Sequence, residues 1–238
     1  MAILAIGSIL CLIEIQFRPL EQLWRRASFR TARALSLLSA WEYTSYWFGV
    51  ELLQTPNDLL TFANLVFRVR PDVIIETGTY NGGSAIYFAT LLEKINPDGK
   101  VITVDLDSRG WDLTLQAGRV PKGLLSRIMF IKGDSVSEAV VKEIESYAGN
   151  KRGLVFLDSA HEKDHVLKEL RLYSRFVAQG SYAIVHDTLT EAIWTVQNPG
   201  PLAATREFLA GNPDFEIDEQ LPERLLSLCP SGFLRRVK

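Results

Sequence analysis

Five short apolar runs between residues 72 and 187 constrain the fold of this chain more than any other feature. They are rich in Val, Ile, Leu and Phe, and longer amphipathic segments separate them. Such runs predict strands that are buried on both faces, and the segments between them predict crossover helices. We therefore expect an α/β fold built on a mainly parallel sheet. The runs are DVIIET, VITVDLD, IMFIKGD, LVFLDS and YAIVHD.

Two further apolar runs follow near the C terminus, FEIDE and RLLSLCP, with only the short link QLPE between them. A link of this length joins antiparallel strands, whereas parallel strands need a longer crossover. The sequence thus predicts a seven-stranded sheet that ends in an antiparallel hairpin. The helices are expected near residues 57–69, 84–95, 135–147, 162–177 and 202–210.

The first 45 residues stand outside this pattern and predict an N-terminal helical arm, which leaves residues 46–238 as the main domain. The opening stretch is apolar, but Glu14 interrupts it, and it is shorter than the ~20 residues of a membrane-spanning helix. A basic amphipathic stretch follows. Two alternatives remain open: residues 1–38 contact an anionic membrane surface, or the arm packs on its own domain or on a second subunit.

Overall charge and cysteine content restrict the partners and the compartment. With 26 basic and 28 acidic residues the chain is close to neutral, which argues against a nucleic-acid binder that neutralises phosphates. Cys11 and Cys229 have neither metal-ligand nor redox spacing. We expect a cytoplasmic homo-oligomer, with peripheral membrane contact open, that acts on a small molecule.

A glycine-rich loop, ETGTYNGGSA, follows the first predicted strand. Ligands of open α/β sheets bind at the carboxyl ends of strands, and Gly78, Gly82 and Gly83 allow a tight turn and close approach of the backbone to a ligand. Ser84 can cap the next helix. The spacing G-x-x-x-G-G differs from the G-x-G-x-x-G of dinucleotide sites. Glu76 would repel a pyrophosphate but suits an ammonium or sulfonium group, and S-adenosylmethionine carries both.

Acids also end the next two predicted strands. Asp105 lies where an acid can accept both ribose hydroxyls of a nucleoside cofactor. For Asp134 two roles remain open, a hydrogen bond to the adenine amino group or a cap for the following helix. The predicted cofactor residues are Glu76, Gly78, Thr79, Tyr80, Gly82, Gly83, Ser84, Asp105 and Asp134.

Four segments together resemble the cephalosporin hydroxylase and rhamnosyl O-methyltransferase family: ETGTYNGGSA, VDLD, FLDSAH and PSGFLRRV. The resemblance runs from about Tyr46 to Val237. It implies a Rossmann-like class I methyltransferase fold and S-adenosylmethionine as the methyl donor. The resemblance covers enzymes that act on very different hydroxylated compounds, so it implies no single acceptor.

The resemblance also implies a divalent metal, usually Mg, bound by acids at the ends of the fourth and fifth strands. These correspond to Asp158 and to the pair His186 and Asp187. A metal-bound hydroxyl has a lowered pKa, and a neutral imidazole can take its proton. His161 matches the family's D-x-x-H element and is our candidate for that base. His165, one helical turn later, is expected to serve only in packing or at the helix surface.

His186 departs from the family pattern, which has an acid at this position. Imidazole suits Mn, Fe or Zn better than Mg. Three roles remain open for His186: a metal ligand, a group that orients Asp187, or a residue on the other face of the sheet with no role at the metal. Asp158 and Asp187 also have an alternative role, as helix caps.

These observations predict an S-adenosylmethionine-dependent, metal-assisted O-methyltransferase. Its acceptor is expected to be a hydroxyl of a sugar, a lipid-linked sugar (glycolipid) or a secondary metabolite. Two alternatives are a non-catalytic cofactor-binding subunit of a cephalosporin-type modifying system and an NAD-dependent oxidoreductase. The glycine spacing disfavours the oxidoreductase.

Overall fold

The computed structural model describes residues 44–189, 199–221 and 227–238. The predicted arm, and with it membrane contact by residues 1–38, lies outside the described residues except at Thr44 and Ser45. The strands are β1 (Thr44–Trp47), β2 (Val50–Leu53), β3 (Val73–Thr77), β4 (Lys100–Asp105), β5 (Ile128–Lys132), β6 (Gly153–Leu157), β7 (Tyr182–Val185), β8 (Phe215–Ile217) and β9 (Phe233–Arg236). The α-helices are α1 (Pro56–Val69), α2 (Gly83–Ile95), α3 (Arg109–Ala117), α4 (Lys122–Leu125), α5 (Glu138–Ala148), α6 (Lys163–Tyr173) and α7 (Pro201–Gly211).

Strands β3 to β9 form one seven-stranded sheet in the order β5-β4-β3-β6-β7-β9-β8. Neighbouring strands from β5 to β7 are parallel, and β9 runs antiparallel to both β7 and β8. The predicted fold class is therefore confirmed. The chain steps outward from β3 to β5 and then returns to β6, so the strand order reverses between β3 and β6. In open α/β sheets ligands bind at this switch point, beyond the carboxyl ends of the strands.

Four of the five parallel strands are largely buried because helices cover both faces of the sheet, whereas the edge strand β5 is mostly half-buried. On β3, Val73 and Ile75 pack into a cluster with residues of α5 and α6, whereas Ile74 packs into a cluster with residues of α1 and α2. This alternation follows the two-residue period of a strand. Both faces of β3 are apolar for that reason, as the sequence predicts.

A separate hairpin, β1–β2, precedes the sheet and was not predicted. Phe48 and Gly49 connect its strands, with φ of 50° and 73°. Two consecutive positive φ angles are typical of the type I′ turn that suits the twist of a hairpin. Trp47 fixes the hairpin on α2, with its ring 5.2 Å from that of Tyr87 and its Nε1 donating to Thr90 Oγ1 at 3.1 Å.

The prediction of the last strand was wrong. The final strand is β9, at residues 233–236, and not the run RLLSLCP; of that run, residues 227–230 are described and are not a strand. Leu228 and Cys229 are buried, but their amides donate to side chains, to Asp58 Oδ2 at 2.8 Å and to Ser227 Oγ at 2.9 Å. These amides cannot also pair with a strand. Helices α3 and α4 were not predicted either.

Within the described ranges, every helix is too short or too polar to cross a membrane.

Candidate active site

Gly78 brings the end of β3 against the end of β6. Its φ is +86°, and a Cβ added there would lie 2.0 Å from the backbone oxygen of Asp158. The amide of Asp158 donates to the carbonyl of Thr77 at 2.9 Å. The protein itself therefore makes a close approach at this glycine, and the approach of a ligand stays a prediction. The contact between Gly78 and Asp158 places Asp158 directly beside the glycine loop.

The other two loop glycines are also packed against protein. A Cβ on Gly82 would lie 2.5 Å from the ring of Trp111, and one on Gly83 would lie 2.2 Å from the backbone oxygen of Glu51 in the hairpin. Gly82 is the residue before α2 and adopts φ +84°, so Ser84 does not cap this helix. That prediction for Ser84 was wrong.

Side chains of the loop connect it to the hairpin. The Glu51 carboxylate accepts hydrogen bonds from Tyr80 Oη and from Asn81 Nδ2, both at 2.9 Å, and both on Oε2. Thr114 on α3 donates to the backbone oxygen of Asn81 at 2.7 Å. The protein thus holds the loop from both sides, through the hairpin and through α3.

Asp105 holds the same loop from the end of β4. Its Oδ2 accepts from the amides of Thr79 and Tyr80 at 2.8 and 2.9 Å, and its Oδ1 accepts from the amide of Asp107 at 3.0 Å. A carboxylate offers about four lone-pair directions. Amide groups occupy three of these lone-pair directions, so one lone pair of Oδ1 remains for a ligand.

Glu76 is fully buried at the end of β3. Its Oε2 accepts from Thr103 Oγ1 at 2.6 Å, whereas its Oε1 has no hydrogen-bond partner among the described residues. Burial raises the pKa of Glu76 to about 8, although the hydroxyls of Ser84 and Thr103 oppose this rise. A buried carboxylate oxygen without a partner is costly, and a cationic ligand group would compensate it.

Asp134 is exposed beyond β5 and closes a turn. Its Oδ1 accepts from the amide of Val136 at 3.0 Å. The cap of α5 is Ser137, whose Oγ accepts from the amide of Val140, so Asp134 does not cap this helix. The alternative role for Asp134, a contact with adenine, stays a prediction.

Three side chains converge where β6 and β7 end: Asp158, His161 and Asp187 each offer a ligand atom, and these atoms all lie within 4.8 Å of one another. The Nε2 of His161 lies 3.2 Å from Asp187 Oδ2. About half of the His161 side chain is exposed, against 20% for Asp158 and 18% for Asp187. The cluster therefore faces solvent on the His161 side. Asp158 and Asp187 come together as predicted, but His161 is the third member.

His186 contacts the same two acids from the buried side. Its Nδ1 lies 2.9 Å from Asp158 Oδ1 and 3.4 Å from Asp187 Oδ2, and its Nε2 lies 2.9 Å from Gln54 Oε1. The alternative that His186 lies on the other face of the sheet is therefore excluded. Burial alone would lower the pKa of His186, but the charges of the two acids raise it well above its usual value.

The conformation of Asp187 is unusual. Its φ is +56°, in the left-handed region that costs a non-glycine residue about 1 kcal/mol. Strained residues of this kind concentrate at functional sites. Burial would raise the pKa of Asp187, but the positive charge of His186 holds it below its usual value.

Asp58, at the start of α1, adds a third acid to this region. It is fully buried, its Oδ1 has no hydrogen-bond partner among the described residues, and burial raises its pKa against the charge of nearby His186. Asp158 and Asp187 thus contact one buried imidazole, and Asp58 lies near it. Buried excess negative charge is unfavourable, and carboxylate oxygens with imidazole form a donor set for a divalent cation. The residues present thus fit the metal that the family resemblance implies.

His165 has the packing role that the sequence suggests. Its Nε2 lies 3.3 Å from Ser159 Oγ and 3.5 Å from Oε1 of Glu169, a fully buried residue on the same helix. Ser159 donates to Glu169 Oε1 at 2.7 Å. Because Ser159 follows Asp158 directly, its hydrogen bond to the buried Glu169 supports the loop that carries Asp158 and His161.

Residues 39–237 match the family model described as Rhamnosyl O-methyltransferase/CmcI. The chain belongs to this family. The rhamnosyl O-methyltransferase of Mycobacterium leprae is 30% identical over 199 residues, which cover 81% of this chain and 83% of the relative. The rhamnosyl O-methyltransferase of Mycobacterium tuberculosis is 29% identical over 202 residues, with 82% of this chain and 79% of the relative covered.

Solved structures of this family and its neighbours share the fold. A structure of CmcI with Mg and SAM has a TM-score of 0.63 at 21% identity and covers 82% of this chain and 77% of CmcI. CalS11, a TDP-rhamnose 3′-O-methyltransferase of calicheamicin biosynthesis, has a TM-score of 0.54 at 21% identity, with 75% of this chain and 78% of CalS11 covered. The predicted family, fold and enzyme class, an S-adenosylmethionine-dependent O-methyltransferase, are confirmed, and the NAD-dependent alternative is not supported. The roles of individual residues stay predictions.

Proposed function

We propose that this O-methyltransferase methylates a sugar hydroxyl, that Asp158 and Asp187 bind a divalent metal, and that His161 is the general base. The observation that carries the proposal is the cluster of Asp158, His161 and Asp187, whose ligand atoms lie within 4.8 Å of one another beside the glycine loop. Rhamnose in the names of the relatives supports a sugar acceptor.

The cofactor is proposed to bind over the ends of β3 to β5. Glu76 Oε1, which has no hydrogen-bond partner among the described residues, would receive the positive end of S-adenosylmethionine, directly or through water. Asp105 has one lone-pair direction left, so it would accept one ribose hydroxyl, not both as the sequence suggests. Asp134 remains the candidate for adenine.

The metal would be held by the carboxylates of Asp158 and Asp187, with His186 Nδ1 facing both of them. When bound, a divalent metal lowers the pKa of a hydroxyl that it contacts and orients it. Mg suits the carboxylates, whereas the nearby imidazoles favour Mn or Fe.

His161 is placed to take the proton of the acceptor. A hydrogen on Nε2 can be donated to Asp187 Oδ2 at 3.2 Å. This hydrogen bond favours the tautomer with hydrogen on Nε2, so Nδ1 is the nitrogen that accepts the proton. In the reaction the acceptor oxygen forms a bond to the methyl carbon, the carbon–sulfur bond breaks, and the proton moves to Nδ1. S-adenosylhomocysteine leaves as the neutral thioether.

The test is methyl transfer from S-adenosylmethionine to a panel of acceptors that contains TDP-rhamnose, rhamnosides and a rhamnosyl glycolipid. Mass spectrometry follows the product with Mg, with Mn, and after metal removal by EDTA. The variants are Asp158→Asn, Asp187→Asn and His161→Gln. The control is Asp98→Asn, an exposed acid in the turn before β4, at the opposite end of the sheet.

We expect His161→Gln to lower kcat by about 10²–10⁴-fold, the range for loss of a general base. The two Asp variants should require more metal for half-maximal rate, and Asp98→Asn should behave as the unmodified protein does. Full activity in EDTA would refute the proposed role of the metal. Full activity of His161→Gln would refute His161 as the general base. Cofactor binding without transfer to any acceptor would favour the non-catalytic subunit.

A further inference from the structure

Gln54 lies between β2 and α1, far in sequence from the residues that it contacts. Only 2% of its surface is exposed, and both ends of its amide have partners. Its Oε1 lies 2.9 Å from His186 Nε2, and its Nε2 donates to Asp158 Oδ2 at 3.3 Å. A single amide thus connects the imidazole and one of the carboxylates of the proposed metal site.

The chemistry of the partners decides which way the amide points. An ionised carboxylate can only accept hydrogen bonds, so the NH₂ group of Gln54 must face Asp158 and its oxygen must face His186. An amide oxygen can only accept, so His186 Nε2 must carry a hydrogen. The other ring nitrogen, Nδ1, is then the atom that faces Asp158 Oδ1 at 2.9 Å and Asp187 Oδ2 at 3.4 Å.

The start of α1 does not itself require glutamine at this position. Thr55 is the N-cap, with its Oγ1 accepting from the amide of Asp58 at 3.1 Å, and Pro56 occupies the first turn. An apolar residue would fill the buried space before the cap without the cost of burying an amide. The two polar contacts of Gln54 therefore indicate a role in the candidate metal site and not at the start of α1.

We propose that Gln54 is a positioning residue. Its amide oxygen accepts a hydrogen bond from His186 Nε2, which directs His186 Nδ1 toward the two acids, and its NH₂ group holds the Asp158 carboxylate in place. The inference rests on the proposed function only where it concerns metal affinity. There, Gln54 keeps Nδ1 as the ring atom that faces the candidate metal site, and partners of this kind orient the groups that contact a metal.

The experiment compares Gln54→Met, which removes donor and acceptor at similar length, with Gln54→Glu, which keeps an acceptor for His186 but has no amide donor for Asp158. Gln220→Met, at an exposed glutamine before Leu221, is the matched control. The full chain is labelled with ¹⁵N-histidine, and NMR of the metal-free protein reports whether the Nε2–H group of His186 donates a hydrogen bond. Titration with Mn²⁺ alone gives the metal Kd, titration with S-adenosylmethionine gives the cofactor Kd, and urea unfolding verifies that each variant is folded.

We expect a hydrogen-bonded Nε2–H group of His186 in the unmodified protein and in Gln54→Glu, and loss of this hydrogen bond in Gln54→Met, which offers no acceptor. In Gln54→Met the Mn²⁺ Kd should rise about 10–100-fold, the usual effect of removing a partner behind a metal ligand, while the cofactor Kd stays within about twofold. A merely structural role of Gln54 would leave the Mn²⁺ Kd unchanged.

Absence of the hydrogen bond at His186 Nε2 in the unmodified protein would overturn the inference, and so would an unchanged Mn²⁺ Kd in Gln54→Met. If the unmodified protein binds no Mn²⁺, the metal part of the proposed function fails. The NMR comparison of Gln54→Met with Gln54→Glu then decides the role of Gln54 alone.

Discussion

The substitution Gly78→Ala should destabilise the protein strongly, because the new methyl group would meet backbone and not a movable side chain. The added Cβ would lie 2.0 Å from the oxygen and 2.6 Å from the carbon of the Asp158 carbonyl. Neither atom can move without shifting the end of β6. The substitution would therefore displace the Asp158 carboxylate as well.

Two costs contribute to the expected effect. The φ of +86° costs an alanine about 1–2 kcal/mol, and overlap in a packed interior typically costs about 1–3 kcal/mol, together about 2–5 kcal/mol. Gly118→Ala is the matched control, because Gly118 is left-handed, with φ 63° and ψ 18°, and a Cβ there meets nothing within 4 Å. It should show the backbone cost alone. Gly123→Ala, in α4, has neither positive φ nor a neighbour within 4 Å and should be neutral or slightly stabilising.

Urea unfolding of the three variants measures the free energies of unfolding. The expected order of destabilisation is Gly78→Ala, then Gly118→Ala, then Gly123→Ala, and only Gly78→Ala should weaken Mn²⁺ binding. Equal destabilisation of Gly78→Ala and Gly118→Ala would refute the contact between β3 and β6 as the reason for this glycine. If Gly78→Ala does not fold at all while Gly118→Ala does, the order is upheld.

Two buried acids give further predictions. The pKa of Glu76 is raised to about 8 by burial from a usual 4.5, so between about pH 4.5 and 8 the native state keeps a proton that the unfolded chain has released. The cofactor-free protein should therefore lose stability as pH rises through that interval. Urea unfolding at a series of pH values measures this loss, which should be smaller in Glu76→Gln. Parallel pH profiles of the two proteins would contradict the burial of this acid. Glu169→Leu should be less stable than Glu169→Gln by about 1–2 kcal/mol, because only glutamine can still accept from the Ser159 hydroxyl, and equal thermal and urea stabilities of the two variants would contradict this.

The parallel part of the sheet was predictable because each of its strands is a short apolar run. The last strand was not, because β9 is only four residues long, carries Arg235 and Arg236, and buries only its first two residues. The more apolar run RLLSLCP does not form this strand, because the amides of Leu228 and Cys229 donate hydrogen bonds to side chains. Local apolarity cannot reveal which partner a backbone amide will find. The hairpin was missed because its turn is Phe-Gly and not a typical Asn-Gly.

The candidate site residues that lie at the ends of strands were predictable from the sequence. Asp158 and Asp187 each follow a buried strand, and parallel neighbours bring such residues to one edge. Gln54 and Asp58 precede the first strand of the sheet, so nothing local indicated that they lie beside His186. The loop glycines were noticed, but a sequence does not say whether a ligand or another part of the chain comes close to them.

The hairpin also determines how far the chain can be shortened. A truncation to Pro56 would leave every strand of the seven-stranded sheet in place. It would nevertheless remove Glu51, which holds the glycine loop, and Gln54, which contacts Asp158 and His186. The smallest active fragment should therefore start at or before Thr44. A shorter fragment that still folds should lack methyl-transfer activity.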